Sequence, residues 1–344
     1  MKLYDENGYL KFRELRDSGY PFVIAVGGRG TGKTYGALRS SVEDRIKYMY
    51  MRRRQTQIDI INKPQFSPIK SVCKDTGLQI TMRPVAKGLS AFVPYTLDED
   101  GKEIVGTEAY GYTCALSTVS NLRGFDASDL DMIIYDEFIP EKTEKSIPHE
   151  AEALFNCYET MNRNRELAGK KPLQLVCLGN ANDQTAPILE HLHLITRLDR
   201  MRKTGQQVYT DDKRGLLLVV LKDSPISAAK ENTALYRLTE NTEFSKMSLG
   251  NEFAYEDRGK IISRPLREYR PLVSIGEIVI YRHKSEERYY VCTHMSGSPT
   301  VFDISETGII RFQRVCGYLW FAYLENKVEF EDYLCQVLFT KYLT

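Results

Sequence analysis

The chain has 344 residues, of which 42% are hydrophobic and 27% are charged, and its formal net charge at pH 7 is +1. This length is natural for two domains, and the composition is that of an ordinary soluble globular protein. No apolar run approaches the about 20 residues that a bilayer span needs, and the first residues lack the apolar core of a signal peptide. We therefore expect a cytoplasmic protein without a membrane partner.

The first chemical signal in chain order is a glycine-rich motif at residues 27–34. An apolar run at 21–26 predicts a strand leading into the sequence GGRGTGKT, which matches G-x-x-x-x-G-K-[ST] at every fixed position. Glycines let successive N–H groups point at phosphates, and the helix predicted at 35–47 adds the positive end of its dipole. A glycine-rich surface turn is the alternative.

The motif predicts Mg-ATP as the ligand. Lys33 would reach the β and γ phosphates, and the Thr34 hydroxyl would bind Mg²⁺. Arg29 is either a contact to phosphate or to a neighbouring subunit, or a solvated loop residue. The predicted nucleotide contacts of the motif are Gly27, Gly28, Arg29, Gly30, Thr31, Gly32, Lys33 and Thr34.

Two adjacent carboxylates, Asp136 and Glu137, follow an apolar run at 132–135. The run predicts a buried parallel strand, because its apolar and β-branched residues are continuous rather than alternating. Open α/β sheets bind ligands at the carboxyl ends of their strands, where these acids would lie. We expect Asp136 to hold Mg²⁺ and Glu137 to polarise the attacking water; two solvated acids at the start of a loop are the alternative.

Further apolar runs extend the same sheet. Strands predicted at 48–51 and 173–178 alternate with the helix at 35–47 and a helix at 149–166, which favours a parallel sheet with right-handed crossovers. Asn180 follows the last of these strands. Its amide would lie at the same sheet edge as Lys33 and could sense the γ phosphate, although turn chemistry also favours asparagine there.

The second half of the chain has a different pattern. It predicts a helix at 186–198, a strand at 216–221 that ends the sheet, and a linker or lid. Short alternating strands and then helices follow, with strands at 277–281, 288–293, 300–304 and 309–312 and helices near 317–326 and 331–339.

The cysteines and histidines predict no metal centre. Seven cysteines are scattered without C-x-x-C spacing, which favours reduced thiols and argues against zinc. His191 and His193 lie two residues apart in a predicted helix and have no matching ligand pair.

Several segments besides the glycine-rich motif and the acidic strand carry a family likeness. They are Tyr-Met-Arg-Arg at 50–53, Leu-Arg-Gly at 122–124, Asn-Arg-Asn-Arg-Glu at 162–166, Leu-Gly-Asn at 178–180 and the later segment Met-Ser-Leu-Gly-Asn-Glu-Phe at 247–253. Together they resemble phage DNA-packaging motor ATPases, most of all the short packaging ATPase of phi-29-type podophages, with kinship to large terminase ATPase domains. The resemblance covers roughly residues 20 to 185 well.

The resemblance implies an α/β fold of the P-loop NTPase class, ASCE or RecA-like, with a mostly parallel sheet flanked by helices. We expect this ATPase domain at 1–200, a lid or linker at 201–255, and a small α+β domain at 256–344. The last domain resembles a reduced RNase H-like fold. Because its first strand carries only Glu277 at its edge, we expect it to be inactive as a nuclease.

Arginines are the remaining candidates for the nucleotide site. Arg163 matches the arginine that such motors insert into a neighbour's site, where its planar fork suits phosphate oxygens. Arg165, two residues on, would lie on nearly the opposite helix face. Arg123, Arg165 and Arg53 are further trans or sensor candidates. Arg52 also ends a strand near the expected nucleotide site, and surface salt bridges are the alternative roles.

The implied function is ATP-driven translocation of double-stranded DNA into a preformed capsid. The implied partners are copies of the chain in a ring, a pentamer by resemblance, then the phage portal, with a packaging RNA as a further candidate. The motor would work in the host cytoplasm, transiently docked at the portal vertex. The candidate DNA contacts are Arg54, Lys63, Lys70, Lys142 and Lys145. A P-loop kinase or phosphotransferase, and a terminase with an active nuclease, are the alternatives.

Overall fold

The computed structural model describes residues 1–122, 124–141, 144–145, 147–181, 186–222, 224–240, 242, 245 and 260–344. The chain forms two compact units. The first contains Met1–Leu192 and Met201–Tyr255, and the second contains His193–Arg200 and Glu256–Thr344. Each unit is built on one β-sheet.

The sheet of the first unit has ten strands. They are β1 (Phe22–Gly27), β2 (Tyr48–Arg52), β3 (Ile80–Ala86), β4 (Leu89–Leu97), β5 (Glu103–Val105), β6 (Gly111–Ala115), β7 (Met132–Asp136), β8 (Gln174–Asn180), β9 (Val208–Asp211) and β10 (Leu216–Leu221).

Six of these strands run parallel through the middle of the sheet, in the order β6-β2-β7-β8-β1-β10. Their apolar residues are continuous because helices cover both faces, as the sequence predicts for parallel strands. Gly27 pairs with Asn180 on one side and Leu221 on the other, and Asp136 pairs with Leu178. The carboxyl ends of β1, β7 and β8 therefore align at one edge, which we call the loop edge.

The helices of the first unit are α1 (Phe12–Arg16), α2 (Lys33–Glu43), α3 (Gln55–Ile61), α4 (Ile69–Thr76), α5 (Glu150–Asn162), α6 (Pro187–His191), α7 (Ile195–Thr204), α8 (Pro225–Glu231) and α9 (Ala234–Leu238), of which α7 is shared between the two units. On one face of the sheet, Ala37, Leu38 and Val42 of α2 join a buried core with β1 residues such as Val23. This amphipathic packing supplies most of the stability that a helix of this length lacks alone.

Helix α5 ends earlier than the sequence pattern predicts. The predicted helix at 149–166 stops at Asn162, whose side-chain oxygen accepts a hydrogen bond from the Leu173 N–H at 2.7 Å. Arg163 follows with φ of 48°, a conformation that no α-helix continues through. The prediction that Arg163 and Arg165 occupy opposite faces of a helix is therefore wrong.

The first unit contains strands that the sequence pattern does not reveal. Strands β3 and β4 pair antiparallel beyond β6, and β5 pairs with β4. The outer half of β3 is exposed, so its alternation is weak. Strand β9 is also absent from the sequence prediction, whereas β10 coincides with the strand predicted at 216–221. Both belong to the large sheet, although they fall within the expected lid or linker at 201–255.

The second unit has a five-stranded sheet in the order β14-β11-β12-β13-β15, with β11 to β13 antiparallel. Its strands are β11 (Tyr269–Ile275), β12 (Ile278–His283), β13 (Tyr289–Cys292), β14 (Thr300–Phe302) and β15 (Val328–Phe330). Its helices after β14 are α10 (Glu306–Cys316), α11 (Tyr318–Leu324) and α12 (Tyr333–Leu343).

The strand predicted at 309–312 is wrong, because these residues lie inside α10. The Ser305 hydroxyl accepts the N–H of Gly308 at 3.1 Å, which caps the start of this helix. Phe312 and Cys316, four residues apart, are buried on one helical face.

All seven cysteines are free thiols, as the sequence predicts. Across the described ranges, no helix is both long and apolar enough to cross a membrane.

Candidate functional site

The glycine-rich loop, residues 27–32, connects β1 to α2 at the loop edge. Its first residue is squeezed between two strands: a Cβ on Gly27 would lie 2.5 Å from the Cβ of Leu221. The loop ends at Gly32, whose φ of 78° turns the chain into α2. Backbone N–H groups at the start of α2 are therefore available to an anion at this end of the helix.

The Lys33 side chain folds back into the loop. Its ammonium donates to the carbonyl oxygens of Gly28 at 2.7 Å and Gly27 at 3.2 Å, and to the Thr31 hydroxyl at 3.3 Å. Burial lowers the pKa of Lys33 to about 8, although Asp136 and Glu137 act in the opposite direction. Lys33 is thus a poorly solvated cation, which a bound polyphosphate would stabilise.

The Asp136 carboxylate, 2% exposed, is the polar centre of the loop edge. Its Oδ2 accepts hydrogen bonds from the Thr34 hydroxyl at 2.7 Å and the Tyr50 hydroxyl at 2.7 Å, and Arg52 Nη2 lies 3.0 Å from it. Burial and then the charge of Asp136 raise the pKa of Tyr50 well above its usual value, so the phenol remains a donor.

The Thr34 and Asp136 oxygens suit a magnesium ion. Mg²⁺ takes hard oxygen ligands and is usually held by one or two carboxylates with phosphate oxygens and water. A hydroxyl and a carboxylate oxygen 2.7 Å apart, beside the buried Lys33 ammonium, offer that donor set.

Glu137 lies beside Asp136 but in a different environment. Its side chain is 47% exposed, its φ is 54°, and its Oε2 is paired with Arg52 Nη1. Arg52 therefore bridges both predicted acids. Because strand residues alternate between faces, Tyr50 and Arg52 lie on one face of β2 and turn toward Asp136 together.

Arg53, next in the chain, is directed elsewhere. Its side chain is 1% exposed, and its Nε and Nη2 donate to the two carboxylate oxygens of Glu150 at 2.8 and 2.7 Å, while Nη1 pairs with Glu144. The Tyr135 hydroxyl also donates to Glu150. All three nitrogens of the Arg53 guanidinium are engaged and the side chain is buried, so this arginine holds α5 to the sheet and is not presented to a phosphate.

An open cleft of about 420 Å³ lies at the loop edge. Its lining brings together the predicted Lys33, Thr34, Asp136, Glu137 and Asn180. Arg29 and Glu141, also in the lining, form an exposed ion pair.

Arg163 lies at the opposite end of α5 from the cleft. Strands β7 and β8 are parallel, and the α5 end contacts Leu173 at the start of β8. The helix thus carries the chain back across the sheet, about 20 Å for its length. Arg163 is 52% exposed, and its Nη2 donates to the Phe125 carbonyl at 3.0 Å. It does not line the cleft of its own chain.

Arg165 differs from Arg163 in its surroundings. Its Nη2 lies within hydrogen-bonding distance of three carbonyls of one turn, those of Ala127, Ser128 and Leu130, at 3.0, 3.0 and 2.5 Å. It stabilises the turn that leads into β7.

The basic candidates for DNA contact are spread over the first unit. Lys63, Lys70 and Lys145 are exposed, and Arg54 donates to the Lys145 carbonyl. Arg123, Lys142 and the segment at 247–253 lie outside the described residues.

The single acid considered for a nuclease site, Glu277, lies in the turn between β11 and β12, and its side chain is 57% exposed. Within residues 260–344, which are all described, the structure brings together no group of three His, Cys, Asp or Glu side chains that could hold a metal ion.

The Arg53–Glu150 pair generates a stability prediction. We expect Arg53→Met to lower the free energy of unfolding by about 3–5 kcal/mol, because Glu150 keeps a buried charge without its partner. Urea denaturation measures this. The matched control is the exposed pair Arg83–Glu103, where Arg83→Met should cost under about 1 kcal/mol. Equal losses in the two variants would contradict a structural role for Arg53.

Comparison with known proteins gives concordant matches. The family model of podovirus DNA encapsidation proteins (Gp16) matches residues 15–274. The DNA packaging protein of Bacillus phage phi29 is 28% identical over 237 residues, which cover 67% of this chain and 61% of that protein. The DNA packaging protein of Bacillus phage B103 is 24% identical over 67% of this chain and 63% of its own. The chain thus matches about three fifths of the length of these curated relatives.

Among solved structures, a chain of the bacteriophage Phi-29 viral genome packaging motor assembly superposes with a TM-score of 0.66 at 18% identity. That match covers 99% of this chain and 100% of the other. The Phi-28 gp11 DNA packaging motor matches with a TM-score of 0.61 at 18% identity over 95% of both chains. At this identity the likeness shows a shared fold.

Proposed function

The chain belongs to the family of podovirus DNA encapsidation proteins, and on that premise we propose that it is an ATPase that drives double-stranded viral DNA into a preformed capsid. The observation that carries the proposal is the 2.7 Å contact between the Thr34 hydroxyl and Asp136. This contact joins the glycine-rich loop to the acidic strand within one cleft, which is the arrangement that nucleotide hydrolysis requires.

We assign the roles in hydrolysis from the chemistry of each group. Lys33 and the loop amides bind the phosphates, and Thr34 with Asp136 would hold Mg²⁺, which supplies neutralisation of phosphate charge. Glu137, the exposed acid, accepts the proton of the attacking water. In the structure Glu137 is paired with Arg52, so proton acceptance requires that this ion pair opens.

We propose that the large sheet is of the ASCE P-loop type and that the second unit is a reduced RNase H-like domain without nuclease activity. The first proposal is supported by the position of β8, which carries Asn180 between the loop strand β1 and the acid strand β7. The second is supported by three antiparallel strands followed by helices, and by the lone exposed Glu277.

The proposed motor is a ring of identical subunits, a pentamer by family resemblance, docked at the phage portal in the host cytoplasm. Arg163 supports such a ring, because it is exposed at the sheet edge opposite its own cleft. A neighbour's cleft is where its guanidinium would meet phosphate. Arg54, Lys63, Lys70 and Lys145 remain candidate DNA contacts, and a packaging RNA remains a candidate partner.

We expect Lys33→Ala to reduce ATP hydrolysis at least about 100-fold, because the cation at the β and γ phosphates is lost. Phosphate release by the purified, folded variant, with and without double-stranded DNA, is the measurement. Lys213→Ala, which removes an exposed lysine between β9 and β10, is the control and should keep the wild-type rate. Wild-type hydrolysis that DNA leaves unchanged would favour a phosphotransferase over a motor.

Substitutions of the two acids should have different effects, one on hydrolysis and the other on the binding of Mg-ATP. Glu137→Gln should bind Mg-ATP and hydrolyse it about 100- to 10,000-fold more slowly, because an amide cannot accept the water's proton. Asp136→Asn should weaken the binding that depends on Mg²⁺. Calorimetry with Mg-ATP and with ATP in EDTA distinguishes the two, and an identical binding defect in both variants would show that the roles are assigned wrongly.

Arg163 should act on a neighbour. Arg163→Ala alone should lose about 10³- to 10⁵-fold in hydrolysis under assembly conditions. Mixing it with Glu137→Gln subunits should restore part of the activity, since some interfaces then combine an intact Glu137 with an intact Arg163. Arg165→Ala mixed in the same way is the comparison, and rescue absent for Arg163 but present for Arg165 would reverse the assignment.

A further inference from the structure

Lys230, in α8, contacts the glycine-rich loop at Arg29, which lies 201 residues earlier in the chain. Its Nζ donates to the Arg29 carbonyl oxygen at 2.9 Å. It also lies against Gly30, where a Cβ would be 1.8 Å from this Nζ. Gly30 has a φ of 76°, in the left-handed region that favours glycine.

The contact determines how the next peptide N–H is directed. A trans peptide group is planar, so the Arg29 carbonyl and the Gly30 N–H point in opposite directions. Lys230 holds the carbonyl on one side, and Gly30 lines the cleft that contains Lys33 and Asp136. The Gly30 N–H is thereby aimed away from the Lys230 ammonium.

A second contact orients another peptide group of the loop in the same way. The Leu10 N–H donates to the Thr31 carbonyl at 2.9 Å, which directs the Gly32 N–H away from Leu10 by the same peptide geometry. Gly32 also lines the cleft. Two outer donors, one a side chain and one a backbone amide, therefore hold alternate carbonyls of the loop.

The charge of Lys230 adds to the same site. Lys230 is half-buried. Burial is the main cause of the lowered pKa of Lys33, and the positive charges of Lys230 and Arg29 lower it further. An ammonium close enough to affect Lys33 makes the loop more attractive to an anion, and a charge-assisted hydrogen bond to a carbonyl is stronger than a neutral one.

We propose that Lys230 is a positioning residue of the phosphate site, which pre-orients the Gly30 amide by holding the Arg29 carbonyl. This inference rests on the proposed function, that the loop binds a nucleotide polyphosphate. It makes α8 part of the nucleotide site, although Lys230 itself does not line the cleft.

The test is calorimetric titration of the full chain with Mg·ADP and with Mg·tripolyphosphate. Lys230→Met keeps the length of the side chain without its charge. It should raise the Kd for both ligands by about tenfold. The two factors should be equal, because both ligands present phosphate to the same amides. Lys230→Arg should restore binding, and Lys213→Met, at an exposed site, is the matched control.

Each outcome bears on the inference. Binding by Lys230→Met within twofold of wild type would overturn it, as would a loss confined to Mg·ADP or a loss that Lys230→Arg does not rescue. A Tm equal to wild type excludes general destabilisation, and if Lys230→Met does not fold, Lys230→Gln should show the same equal weakening. Failure of the wild-type chain to bind either ligand would instead contradict the proposed function.

Discussion

The buried carboxylate of Asp136 is the constraint on which the loop edge depends. Removing a carboxylate from water costs several kcal/mol unless donors replace the lost hydration. Here Thr34, Tyr50 and Arg52 all contact one oxygen of Asp136. The start of α2 and the ends of β2 and β7 are thereby fixed relative to one another at the cleft.

The alternation of side chains along β2 divides two adjacent arginines between two tasks. Arg52 turns to the acids of the cleft, whereas Arg53 turns to Glu150 on the other face of the sheet. The sequence predicts that the pair at 52–53 lies near the proposed nucleotide site, and the two-residue period of an extended chain predicts that only one of the two arginines faces that site. Which one reaches it depends on the face that Tyr50 takes, and the structure supplies that.

The sequence predicted the mixed α/β fold, the family and the strand-loop-helix segment, because these depend on local patterns: continuous apolar strands, glycine spacing and acids at a strand end. It does not predict β3 to β5; the outer half of β3 and most of β5 are exposed, which weakens the alternation there. It also predicts a strand at 309–312, within the helix α10 that Ser305 caps. Lys230 carries no local signal. Its relevance arises from contact with Arg29 across the fold, which no pattern along the chain encodes.

Helix α5 separates the two proposed functional surfaces of the subunit. The acids lie at the sheet edge from which α5 departs, and Arg163 lies where α5 ends, at the opposite edge. If the arginine of one copy completes the cleft of the next, each copy contributes two different surfaces to its contacts. Such contacts are heterologous: they form a closed ring when the rotation between copies divides a full turn, and an open filament when it does not. A two-fold dimer, which pairs one surface with itself, does not satisfy them.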